Sequence, residues 1–157
     1  MNEIKIRPAT NSNLEKLYQF EQGIIDAERP FDVTLREGSI KYYNLEEMIT
    51  ASHIELVVAE VNSSVVGCGY ARLQKPKRDC HTFSQYAYLG FMYVVPEQRG
   101  KGIIHEIMNA LKAWARTRDV SELRLEVYPK NSSAIRAYEK LGFTPSMIEM
   151  RVNLGEQ

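Results

Sequence analysis

Cysteine is scarce: the 157 residues carry two, Cys68 and Cys80. Two thiols cannot build the disulfide framework of a small secreted domain, and their spacing matches no zinc-ligand pattern. No basic, apolar leader of the secretory kind is evident, so the expected location is the reducing cytoplasm. Long apolar runs are missing too. The longest, Ile54 to Ala59 and Leu89 to Val95, are each interrupted by a polar or small residue. Both fall far short of the roughly 20 residues a bilayer span requires, so no membrane partner is expected. Neither sign of charge is in excess: Lys plus Arg number 20 and Asp plus Glu number 20, so no net field draws the molecule onto nucleic acid. With 44% hydrophobic and 25% charged residues, the composition excludes disordered, collagen-like and coiled-coil classes and suits one domain over residues 1–157.

What is present is a succession of short periodic segments. Glu3 to Arg7 alternates as a half-buried strand before Pro8, and Asn11, Ser12 and Asn13 offer caps for an amphipathic helix through Ile25 that Gly23 weakens. Pro30 and Gly38 punctuate a loop, and Leu45 to Ile49 suits a short helix. Glu55 to Val61 and Val65 to Leu73 read as an antiparallel hairpin turning at Asn62, Ser63 and Ser64. Lys75, Pro76, Lys77 and Arg78 form a basic hairpin tip. Tyr86 to Val95 is the most strongly marked strand and stops at Pro96. Gly102 to Arg118 carries Ile103, Ile107, Met108, Leu111, Trp114 and Ala115 at helical spacing. Glu122 to Tyr128 alternates again, Ser132 or Ser133 starts a helix that Gly142 ends, and Ile148 to Leu154 alternates as a last strand. The order β-α-α-β-β-β-α-β-α-β predicts an α/β (α+β) domain: a mixed, mostly antiparallel central sheet with helices on both faces. Tyr86 to Tyr128 should form a right-handed parallel crossover.

The chemistry concentrates where the best strand hands over to the long helix, in Val94-Val95-Pro96-Glu97-Gln98-Arg99-Gly100-Lys101-Gly102-Ile103-Ile104-His105. Glycines there permit positive φ and close approach of a ligand to the backbone. The first helical N–H groups have no intrahelical acceptor, so with Arg99 and Lys101 beside them they make an anion site. A Walker A loop would need Ser or Thr after Gly-Lys, and Gly102 is followed by Ile103. A Rossmann fingerprint needs G-x-G-x-x-G in an opening βαβ unit; here Ile103, Ile104 and His105 follow the glycines, late in the chain.

The loop resembles that of the GNAT family of acetyl-CoA-dependent N-acetyltransferases, Arg/Gln-x-x-Gly-x-Gly/Ala after a strand and Pro. Arg99 and Gly102 match, and Ile104 departs at the last small position. A second stretch, Asn131-Ser132-Ser133-Ala134-Ile135-Arg136-Ala137-Tyr138-Glu139-Lys140-Leu141-Gly142-Phe143, is close to the family's N-x-x-A-x-x-x-Y-x-K-x-G-F. The resemblance implies acetyl-CoA as co-substrate, its pantetheine arm lying between two parted parallel strands. Backbone groups of Met92, Tyr93 and Val94 would pair with the pantetheine amides. N–H groups of Arg99, Gly100, Lys101, Gly102, Ile103, Ile104 and His105 would hold the pyrophosphate, and Asn131 and Tyr138 would face the pantetheine and sulfur. A homodimer is a further expectation of the resemblance.

The chemistry such an enzyme must solve is general. An alkyl ammonium of pKa about 10.4 is neutral only about once in 2,500 molecules at pH 7, so a base must take its proton, and the departing thiolate must gain one. Tyr138 is the expected acid. Many family members carry a Glu on the strand before the loop, where this chain has Tyr88 and then Gly90; Glu126 on the next strand is the expected base, directly or through water, with Glu28, Asp32 or a water chain as alternatives. Neither cysteine is placed as an acyl-enzyme nucleophile, so direct attack in a ternary complex is expected. The absent strand carboxylate and Ile104 leave a second reading, a catalytically weak CoA-binding sensor. From Glu21 to Glu55 eight acids (Glu21, Asp26, Glu28, Asp32, Glu37, Glu46, Glu47, Glu55) face three bases (Arg29, Arg36, Lys41), which favours a cationic amine acceptor. Cys80-His81 and His53 belong to no ligand cluster. Tyr138 also stands at the spacing of a core-edge tyrosine, and Asn131 suits a helix cap.

Overall fold

The computed structural model describes residues 3–156. Ile4–Pro8 (β1) pairs antiparallel with Ile54–Val61 (β2), β2 with Ser64–Gln74 (β3) and β3 with Tyr86–Val94 (β4). Leu123–Arg124 (β5) runs parallel to β4 at the end of a sheet ordered β1-β2-β3-β4-β5. The helices are Leu14–Glu28 (α1), Leu45–Thr50 (α2), Ile103–Thr117 (α3) and Ser132–Lys140 (α4). The hairpin between β2 and β3 turns on Asn62 and Ser63, both at positive φ (52° and 64°), the backbone a tight hairpin demands.

Period-two alternation sorts the core into two layers. Val57, Ala59 and Val61 of β2 face α3, whose Ile107, Met108 and Leu111 are fully buried. Leu56 and Val58 face the other way, onto Leu17 and Phe20 of α1 and Leu45 and Met48 of α2. The mixed, mostly antiparallel sheet with helices on both faces is the architecture the sequence predicts. Gly23, read as a weak point of α1, has a positive reason. A Cβ there would lie 2.8 Å from the ring of Tyr93, so its absence lets α1 settle on β4.

Two expectations fail. The strand predicted over Glu122 to Tyr128 pairs only at Leu123–Arg124, because β5 leaves β4 beyond that point and has no ladder to join. The strand predicted over Ile148 to Leu154 does not form: residues 148–153 have no regular structure, Leu154 opens a 3-10 turn (Leu154–Glu156), and Ile148, Met150, Val152 and Leu154 stand in solvent. Alternation supplies a face, but a strand also needs a neighbour to accept and donate its backbone hydrogen bonds.

Candidate active site

β4 is bent where the chemistry was expected. Cys68 pairs with Tyr93 and Tyr70 with Gly90, so Phe91 and Met92 together oppose Gly69, a β-bulge. Phe91 takes a left-handed φ of 54°. Gly69 makes the bulge possible, since a Cβ there would fall 2.7 Å from Met92 Sδ and 2.8 Å from Ile107 Cγ2. The buried Cys68 thiol donates to the Phe91 carbonyl at 3.3 Å, and burial pushes that thiol well above its ordinary range, which leaves it a structural group and no nucleophile. Beyond the Tyr88–Arg124 pair the two parallel strands part, with Leu89 to Val94 on one side and Leu125 to Tyr128 on the other.

A 3-10 turn at Pro96–Gln98 then leads into the loop before α3. Gly100 and Gly102 have φ of 76° and 84°, and where their Cβ atoms would project nothing lies within 4 Å. Gln98 and Arg99 N–H groups close the turn onto Val95 and Pro96, and the next loop or cap N–H to find a backbone acceptor is that of Glu106, on Gly102. The N–H groups of Gly100, Lys101, Gly102, Ile103, Ile104 and His105 are therefore left over, at the positive end of a 15-residue helix. Arg99 departs from expectation twice: its N–H, expected at the pyrophosphate, is already given to Pro96 O at 3.3 Å, and its side chain turns back to the strand. Its Nε donates to Val94 O at 2.9 Å and its guanidinium lies 5.7 Å from the Tyr93 ring centroid, so the side chain ties the loop to the end of β4. The Val94 carbonyl, expected to meet a ligand amide, already has this donor. The imidazole of His105 lies by Glu106 and Asn109 of its own helix, and Lys101 Nζ reaches Gln98.

Asn131 caps α4: its Oδ1 accepts from Ala134 N–H at 3.3 Å, and its own N–H donates to Tyr128 O. Its amide nitrogen is the part left for a ligand. Tyr138 follows two turns on, half-buried and edge-on to Phe143 with ring centroids 6.0 Å apart. Burial, and secondarily the charge of Glu28, push its hydroxyl above the ordinary tyrosine range, which keeps the proton in place for donation.

Across the gap the carboxylates separate into two groups. Glu126, exposed, lies near Tyr88, whose hydroxyl is raised first by burial and then by the Glu126 charge. Arg72 lies 5.6 Å from the ring centroids of both Tyr70 and Tyr88. The space a side chain at position 90 would fill is taken by Tyr70, whose hydroxyl lies 2.7 Å from the Cβ a residue there would carry. The second group sits at the C-terminal end of α1 and just beyond it. Tyr128 donates to Asp32 Oδ2 at 2.7 Å across 96 positions of sequence, and Phe31 stacks on the Tyr128 ring at 6.2 Å. Half-buried Glu28 is raised by desolvation and by Asp32, and its charge is felt at Tyr42, Tyr43, Tyr128 and Tyr138. Glu21, one of the acids assigned to the substrate side, is instead buried: its Oε2 accepts from the N–H groups of Tyr42 and Tyr43 at 2.9 and 2.8 Å. That carboxylate fastens the segment before α2, and Tyr43 in turn stacks on Phe91 at 4.6 Å.

The profile of the Acetyltransferase (GNAT) family matches residues 15–143. The chain belongs to that family. It is 22% identical over 114 residues to an aminoglycoside N(6')-acetyltransferase type 1 of Salmonella typhimurium, covering 73% of this chain and 74% of that one. It is 33% identical over 69 residues to a streptothricin acetyltransferase of Escherichia coli, a match spanning 44% of this chain and 40% of the relative. A solved structure, the aminoglycoside N-acetyltransferase AAC(6')-Iy in complex with CoA, superposes with a TM-score of 0.72 at 18% identity, over 95% of this chain and 99% of that one. The protein is thus a GNAT acetyltransferase by family, fold and motif, and acetyl-CoA is the family's acyl donor. The unbonded N–H groups from Gly100 to His105, the room over both glycines and the parted strands fit that donor. Among the described residues no helix is long and apolar enough to cross a membrane.

The bulge at Phe91, the Arg99–Val94 tie and the Asp32–Tyr128 bond were not legible in the sequence. A Gly at position 69 opposite an aromatic run hinted at the first; nothing local signals a bond across 96 positions.

Proposed function

We propose that the protein acetylates a primary amine of a small cationic acceptor by direct attack in a ternary complex. Acetyl-CoA, when bound, supplies a thioester and a thiol leaving group. The N–H groups of Gly100 to His105 hold the pyrophosphate, while Met92 and Tyr93 present backbone to the pantetheine and the Asn131 amide nitrogen orients it. The acceptor enters from the opposite side, between the segment after α1 and the end of the β5 strand. The acidic, aromatic edge at Glu28, Asp32, Tyr42 and Tyr128 carries this reading, because carboxylates beside tyrosine rings attract and desolvate an ammonium.

Glu126 takes the amine proton, directly or through a water, beside Tyr88, whose hydroxyl feels its charge. Tyr138 gives its proton to the departing sulfur. Glu28 is the second candidate for the base: its raised carboxyl matches the requirement for a stronger base, and it is the carboxylate whose charge Tyr138 feels. The names of the relatives make aminoglycosides and streptothricin the acceptors to assay first, alongside polyamines. The test is release of free thiol from acetyl-CoA over this panel. Amine-dependent release is expected. Tight CoA binding with no release on any amine would instead favour a CoA-binding sensor.

A further inference from the structure

Among the described residues three arginines are half-buried, Arg7, Arg29 and Arg72. Two of them have oxygens to bond. Arg7 meets Glu60, Asn13 Oδ1 and the Pro8 carbonyl, and Arg29 donates to the carbonyls of Arg36 and Gly38. Arg72 has none among the described residues, where the arginines that donate side-chain hydrogen bonds are Arg7, Arg29, Arg99 and Arg124 and the ion pairs are Arg7–Glu60, His105–Glu106 and Arg124–Glu122. Its guanidinium has two aromatic faces instead, the rings of Tyr70 and Tyr88, each with its centroid 5.6 Å away. Those faces offset the charge and hold the plane, but they accept none of the in-plane N–H bonds. A guanidinium carries five such donors, and one that has lost part of its hydration normally finds acceptors for them.

The place of Arg72 is the side proposed for the acceptor. It stands opposite Tyr88 in the β3–β4 ladder, and Tyr88 stands opposite Arg124, the last pair before β4 and the chain beyond β5 part. Tyr70 and Arg72 are two residues apart on β3 and so share a face, the one that packs on α1 and α2. Tyr43 joins this corner to the acidic edge at the end of α1. Its ring meets that of Tyr70 edge-on at 5.8 Å, and its hydroxyl is raised first by burial, then by Tyr70 and by the charge of Glu28. Tyrosine rings thus connect a carboxylate end, at Glu28 and Asp32, to a guanidinium end.

We infer that the amine acceptor carries a carboxylate and that Arg72 binds it, an inference that rests on the acceptor side proposed above. The planar fork of N–H donors matches a carboxylate with two parallel bonds, and the two rings hold that fork in place before a ligand arrives. A single negative charge suits this corner better than the double charge of a phosphate, because Glu126 acts on both Tyr70 and Tyr88 and repels the more highly charged group more strongly. The bulge at Phe91 lies three residues beyond Tyr88, roughly 10 Å along the strand. The amine that reacts beside the bulge is therefore several bonds from the carboxylate, as the side-chain amine of a lysine-type amino acid is and its α-amine is not. Glu28 and Asp32 attract the ammonium end of such a molecule while Arg72 holds the other.

Thiol release from acetyl-CoA with 6-aminohexanoate and with lysine, each beside its own carboxamide, tests this. In the parent protein kcat/KM should favour the carboxylate of each pair by about 10- to 100-fold. Arg72→Gln should bring each ratio to about 1 while the circular dichroism spectrum and the Kd for CoA stay as they were. Arg72→Met, which keeps an apolar stem over the two rings, should do the same. Equal rates within each pair in the parent overturn the inference, and so does a preference that survives in either folded variant. Turnover of an aminoglycoside or a polyamine but of neither carboxylate would uphold acetyl transfer and still overturn it. The opposite outcome is equally readable: no thiol release with any amine, together with calorimetric binding of 6-aminohexanoate to the CoA-loaded protein that Arg72→Gln abolishes, would sink the transfer reading and uphold the carboxylate site. Neither turnover nor binding overturns both.

Discussion

Tyr138 is the residue on which the proposed chemistry turns, and its half-buried hydroxyl with a raised pKa suits a group that must still hold its proton when the thiolate leaves. Tyr138→Phe should lower kcat by about 100-fold or more while the Kd for CoA, measured by calorimetry, changes little. An unaltered kcat would remove it from the mechanism. Glu126 and Glu28 are separated by pH. A base acts deprotonated, so kcat/KM must fall as pH drops through its pKa. If Glu28 serves, that acidic limb lies above the ordinary Glu range and Glu28→Gln abolishes it; if Glu126 serves, Glu126→Gln does so and Glu28→Gln leaves the limb in place. Stability gives an independent reading of Glu28. A carboxyl raised on folding costs stability once pH exceeds its unfolded value, so denaturant titrations should show Glu28→Gln more favourable relative to the parent at pH 7 than at pH 4. The sequence exposed the types of these residues but not their company. Glu21 and Glu28 look alike in the chain, yet one caps backbone N–H groups in the core and the other faces the cleft. Only the fold of the segment from Ile40 to Asn44 back onto α1 separates them.

At the level of elements, periodicity carried most of the fold. Val57 and Val58 are adjacent and pack on opposite faces, and the rhythm from Ile103 to Ala115 is the buried stripe of α3. Leu111→Ala should therefore cost about 2–5 kcal/mol in chemical denaturation, the loss of a fully buried Leu. Periodicity fails where a partner decides the outcome, as at Leu125 to Tyr128 and Ile148 to Leu154. The bulge in β4 is likewise a property of the pair, since it depends on Gly69 across the ladder. Gly69→Val would press on Met92 and on the buried Ile107, and should cost about 1–3 kcal/mol and weaken CoA binding together. The Asp32–Tyr128 bond joins two elements at the acceptor side. Tyr128→Phe should raise KM for the amine while leaving KM for acetyl-CoA nearly constant in initial-rate assays.

For the whole molecule, the sheet opens one gap where β4 and the chain beyond β5 part. In the proposed function the donor lies along β4 and the N-terminus of α3, and the acceptor against α1 and the chain beyond β5. Nothing in the net charge of zero recruits either substrate, so the proposed recognition rests on local groups: unbonded N–H donors on one side and two carboxylates on the other. The central claim is that the turn from Arg99 to His105 grips the diphosphate of coenzyme A. Amide hydrogen exchange over that turn, with and without CoA at saturation, tests it most directly. Strong slowing of exchange from Gly100 to His105 is predicted. Unchanged exchange there, with protection appearing elsewhere or nowhere, would contradict the account.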